Sequence, residues 1–106
     1  MIGFSIDTEI QSDIPTLHLK GELDLHSSEK LNLKLNELLE NNETIISINM
    51  QKVEYIDSTG LGTIAKVARK LEDQEGHLSL ISCPPRIKKL IEISGLTKKN
   101  IQLVEA

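Results

Sequence analysis

Residues able to do chemistry gather in one stretch, Asp57-Ser58-Thr59-Gly60-Leu61-Gly62. A serine nucleophile there would need a base and an oxyanion hole beside it. The strained elbow that exposes such a serine carries glycine two positions earlier, where this chain has Ile56. His18, His26 and His77 are the available bases, but nothing in the sequence brings one to Ser58, and each reads as a surface or edge histidine. Gly60-Leu61-Gly62-Thr63-Ile64-Ala65 fits G-x-G-x-x-[G/A], a turn that can approach a phosphate closely. The dinucleotide fingerprint also wants an acid about 20 residues on. Ser79, Leu80, Ile81, Ser82 and Cys83 stand there instead. A small nucleotide-binding domain using the Gly60–Gly62 turn is therefore kept only as the alternative. Asp24 and Asp57 both fall at predicted strand ends and could converge, for acid–base work or for Mg²⁺. Capping and turn formation are the simpler reading of each. No histidine pair and no Cys/His set has metal-ligand spacing, so neither metal nor cofactor is expected.

The elements around this stretch must place it at a strand-to-helix junction. Ile45-Ile46-Ser47-Ile48-Asn49-Met50 is an apolar run that reads as a buried strand. Leu61, Ile64, Ala65, Ala68 and Leu71 then recur at helical spacing, predicting a helix over about 58–73. Asp57 or Ser58 can serve as its N-cap. Gly60 and Gly62 allow a neighbouring backbone or a partner to approach closely. Upstream, Phe4–Ile10 alternates apolar and polar, and Leu17 and Leu19 resume the alternation after a break at 11–13, so the two read as a hairpin. Pro15 belongs at a strand start or edge. Gly21 is expected to end the second strand. Ser27 or Ser28 is expected to cap a helix through about Asn41, with Glu29 in its first turn. Its buried stripe is Leu31, Leu35, Leu38 and Leu39, with Leu33 off the stripe. Downstream, Gly76 reads as a left-handed cap, and His77–Ile81 as a strand. Pro84-Pro85 opens a short helix carrying Ile87, Leu90 and Ile91. Ser94-Gly95-Leu96 stops that helix, and Ile101–Val104 forms a last strand. The order β-β-α-β-α-β-α-β predicts an α/β fold, a mixed, mostly parallel sheet flanked by helices.

Composition narrows the function. One hundred and six residues make one small domain. Phe4 and Tyr55 are the only aromatics, which argues against stacking on nucleobases. A net charge of −4 without a basic block argues against DNA, RNA or anionic lipid as partners. Cys83 has no second cysteine to pair with, which suits a reducing cytoplasm. No apolar run approaches the ~20 residues needed to cross a bilayer, and no signal peptide is apparent.

Asp57-Ser58-Thr59-Gly60-Leu61-Gly62 closely resembles the signature of the STAS-domain anti-sigma factor antagonists of bacteria. Gly21-Glu22-Leu23-Asp24 resembles the family's Gly-Glu-[Leu/Ile]-Asp segment. Val53-Glu54-Tyr55-Ile56-Asp57 resembles its approach to the phosphoserine, with Ile56 where methionine is more typical. Arg86–Leu90 and Ile93-Ser94-Gly95-Leu96 resemble its C-terminal helix and stop. Residues near Leu25-His26-Ser27-Ser28 depart from it, since relatives often carry Ala-Pro soon after. The resemblance covers almost the whole chain and implies a single STAS domain over 1–106. It implies a phosphoprotein switch rather than an enzyme, with Ser58 as phosphoacceptor and Thr59 well behind it. The partner-binding set it implies is Asp24, Asp57, Ser58, Thr59, Gly60, Leu61 and Gly62. The implied partners are an anti-sigma factor that is a serine kinase of the histidine-kinase-like ATPase superfamily, and a PP2C-type phosphatase. A scaffold-type STAS protein in a large signalling assembly is a further alternative within the family.

Overall fold

Alternating apolar residues in the strands and apolar stripes in the helices build a two-layer α/β fold. The computed structural model describes residues 3–98 and 100–105. The elements run β1 (Ser5–Gln11), β2 (Ile14–Leu23), α1 (Leu25–Glu40), β3 (Ile45–Ile56), α2 (Ser58–Glu72), β4 (His77–Ile81), α3 (Pro85–Ser94), a 3₁₀ turn (Leu96–Lys98) and β5 (Ile101–Val104). The sheet order is β1-β2-β3-β4-β5, antiparallel at β1–β2 and parallel elsewhere. Each parallel crossover advances the same way along the sheet, so right-handed connections place all three helices on one face. Asn100 Nδ2, next to β5, donates to the Ala68 carbonyl in α2 at 2.6 Å, which ties the last crossover to that layer.

The core lies between the layers. Leu17, Leu19, Leu23, Ile46, Ile48, Met50, Leu78 and Leu80 line the inner sheet face, against Leu31 and Leu35 of α1 and Ile64, Val67 and Leu71 of α2. The opposite sheet face is polar. Thr16, Ser47, Ser79 and Gln102 stand in register across four strands, and Gln102 Nε2 donates to Ser79 Oγ at 3.0 Å. The expected stripe of α1 is present, and Leu33 is exposed. Pro15 precedes the first β2–β3 pair, Thr16 with Ser47, so it withholds no donor from the parallel ladder.

Several boundaries differ from expectation. β2 does not end at Gly21: that residue adopts φ +108° inside the strand, at a register shift, and the strand continues to Leu23. A bulge, not a terminus, is what this glycine serves. β3 likewise runs on to Ile56. The cap of α1 is Asp24, not Ser27 or Ser28, so Glu29 lies beyond the first turn. Gly76 is not left-handed; Glu75 is, with φ 58°. Gly76 is required for room, because a Cβ there would strike the Thr44 carbonyl. Gly95 does take the left-handed conformation, φ 80°, at the end of α3.

Candidate functional site

Two neighbouring parallel strands end level with one another, and each is followed by an aspartate that starts a helix. Leu23 and Ile56 are register partners. The amide of Asp57 donates to the Leu23 carbonyl at 3.2 Å, stitching the two strand ends together. Asp24 Oδ1 accepts from the amides of His26 and Ser27 at 3.0 and 3.1 Å, while Ser27 Oγ accepts from the Asp24 amide at 2.8 Å. This is a reciprocal capping box with serine in the third position. Amide donation from Ser27, with the help of its hydroxyl and of His26, holds the Asp24 carboxyl below its ordinary value despite the opposing effect of desolvation.

Asp57 caps α2, its Oδ1 accepting from the Gly60 amide at 3.0 Å. Of the two candidate caps, Ser58 is therefore not the one used. It occupies the first helical position, is exposed, and makes no side-chain hydrogen bond among the described residues. Thr59 is exposed beside it, and its carbonyl accepts from Thr63 Oγ1 at 3.1 Å.

The two glycines do different things. Gly60 is buried, and a Cβ there would lie 2.9 Å from Ile56 Cγ1, from Leu23 Cγ and from the Leu23 carbonyl oxygen. It lets the start of α2 settle onto the ends of β2 and β3. Gly62 meets nothing within 4 Å and looks onto open space. Leu61 packs on the edge of the core. Thus Asp57, Ser58, Thr59 and Gly62 share one surface, Asp24 caps the adjacent helix, and Gly60 and Leu61 set the helix in place from below.

The remaining candidates scatter. His26 and His77 are exposed, and His18 bonds Glu9 Oε1 at 2.8 Å across the β1–β2 hairpin. Among the described residues no cluster of three or more His, Cys, Asp or Glu could hold a metal ion.

The STAS domain family model matches residues 5–105. The chain belongs to the STAS domain family. Within it, the domain is similar to anti-sigma factor antagonists. It is 30% identical to the anti-sigma-B factor antagonist of Staphylococcus aureus, over 90% of this chain and 88% of that protein. Its fold matches the phosphorylated form of the Bacillus cell fate determinant SpoIIAA with a TM-score of 0.76, at 26% identity over 98% of this chain and 91% of that one. It also matches an anti-sigma factor antagonist from Mycobacterium paratuberculosis with a TM-score of 0.84, at 20% identity over 95% and 86% of the two chains. Among the described residues no helix of this STAS domain is long and apolar enough to cross a membrane.

Sequence reasoning missed three residues beside the signature. Leu25 is the first residue of α1 and is 58% exposed, while Ser28 and Asn32 face α2 across a groove. The exposed leucine directly after a capping aspartate was the available signal.

Proposed function

We propose that this STAS domain is a cytoplasmic, non-enzymatic partner switch acting as an anti-sigma factor antagonist. Unphosphorylated, it binds an anti-sigma factor that is also a serine kinase of the histidine-kinase-like ATPase type, and so releases a sigma factor. Phosphorylation of Ser58 abolishes binding, and a PP2C-type phosphatase restores it. The observation that carries this reading is the division of labour at the start of α2: Asp57 does the capping, and the Ser58 hydroxyl is exposed and free of internal duties.

A phosphate adds about −1.5 to −2 charge and three acceptor oxygens. At a helix N-terminus the dipole and the free amides tolerate that charge, so the domain stays folded. At an interface the same charge is repelled or left desolvated. Glu54 and Asp57 already make the surface negative, which compounds the effect. A loss of ~3–4 kcal/mol weakens binding a few hundred-fold.

The test uses the purified kinase of the source organism with wild type, Ser58→Asp and Ser58→Ala. Wild type and Ser58→Ala are expected to bind, and only wild type to accept phosphate. Ser58→Asp is expected to lose affinity while keeping its thermal midpoint. Equal binding by Ser58→Asp, with phosphorylation intact, would falsify the assignment.

A further inference from the structure

Beside Ser58, the first turns of α1 and α2 flank a groove of about 360 Å³. Three features of it have no explanation inside the domain. Gly62 stands on its wall in the body of a helix, where glycine is unfavourable relative to alanine. Neither a positive φ nor a close neighbour requires it, unlike Gly21 or Gly60. Ser28 Oγ and Asn32 Oδ1, one helical turn apart on the opposite wall, are buried without any hydrogen-bond partner among the described residues. Native folds rarely leave such atoms unpaired. Leu25 forms the lip and is more than half exposed. Thr59 lines the groove as well and joins it to the Ser58 surface.

These features are complementary to one occupant. A bare glycine lets a main chain come close, and an approaching main chain carries the N–H donors that Asn32 Oδ1 and Ser28 Oγ lack. An apolar side chain on the same segment would cover Leu25. We infer that the α1–α2 groove is the second half of the docking surface, receiving an extended main-chain segment of the same anti-sigma factor that approaches Ser58. Continuity through Thr59 is what assigns both contacts to one partner. The inference rests on the switch reading above and adds α1 residues to it: Leu25, Ser28 and Asn32.

The test pairs stability with affinity in the full chain. Gly62→Ala and Gly62→Gln replace an unfavourable helix residue where there is open space, so the thermal midpoint is expected to hold or to rise by several degrees. Affinity for the purified kinase is expected to fall at least tenfold, more for Gln than for Ala. Ser28→Ala is expected to weaken binding without lowering the midpoint. If Gly62→Gln binds like wild type while Ser58→Asp does not, the groove is not a docking surface and the switch reading stands. If either Gly62 variant melts below wild type, the glycine serves the fold and the inference is overturned. If wild type binds no such kinase, both readings fall.

Discussion

Gly60→Ala is the perturbation whose magnitude the structure defines best. The new methyl would sit 2.9 Å from Ile56 Cγ1, Leu23 Cγ and the Leu23 carbonyl oxygen. The two side chains belong to fully packed strand ends, being 4% and 0% exposed, so neither has space to rotate away. The carbonyl is held too, since it accepts from the Asp57 amide at 3.2 Å. Overpacking of this kind costs about 1–3 kcal/mol. Replacing glycine in a helix returns at most about 1 kcal/mol. The balance is a destabilisation of about 1–2 kcal/mol, which lowers the midpoint of a domain of this size by about 5–10 °C. Differential scanning calorimetry of the variant against wild type measures it. An unchanged or raised midpoint would refute the packing argument, and with it the claim that Gly60 seats α2 on the strands. The comparison with Gly62→Ala sharpens the test, because the two glycines stand two residues apart and are expected to shift the midpoint in opposite directions.

Two further outcomes follow from the ionisable groups. The Asp24 carboxyl is held below its ordinary value of 3.8, so the ionised cap contributes stability above that pH and loses it as pH falls through the lowered folded value. Asp24→Ala is therefore expected to melt below wild type at pH 7, with the gap narrowing below pH 3.8; a gap of the same size at pH 7 and pH 2.5 would sink the capping argument. Burial, reinforced by Glu105 and opposed by Lys88, pushes the Cys83 thiol up to about 11 from 9.0. That rise leaves about a hundredfold less of the reactive thiolate near neutral pH. Alkylation by iodoacetamide at pH 8 is accordingly expected to be about a hundred times slower than that of an unfolded control, as followed by mass spectrometry.

Much of the fold could be read from local pattern because period and turn chemistry agree along most of the chain. Element order, the leucine stripe of α1 and the left-handed Gly95 all rest on local signals of that kind. Failures came where one residue type serves two purposes. Gly21 has the look of a strand terminator, yet its φ of +108° belongs to a bulge that brings it close to the Gly3 carbonyl. Ser27 looks like a cap, but it completes a box whose cap is Asp24, three residues earlier. The signature at residues 57–62 was legible as a junction. What each glycine does there was not, since that depends on which neighbour, in a strand far away in sequence, faces the missing side chain. The groove was invisible for the same reason: Ser28 and Asn32 become unusual only once α2 lies alongside them without offering a partner.

The choice of Asp57 over Ser58 as the cap bears directly on what a modification at Ser58 can do. A serine cap would lose its contact to the helix on phosphorylation, and losing a cap costs about 0.5–2 kcal/mol of stability. Such a switch would act by fraying α2, and its signal would spread into the core through Ile64 and Val67. With Asp57 bonded to the Gly60 amide, the helix start is secured independently of the residue that faces outward. Charge added at Ser58 then changes the surface and leaves the scaffold alone. The two mechanisms differ in an observable. Amide hydrogen exchange of residues 60–64 in phosphorylated protein is expected to match the unmodified protein, and faster exchange there would mean that the switch works by loosening the helix.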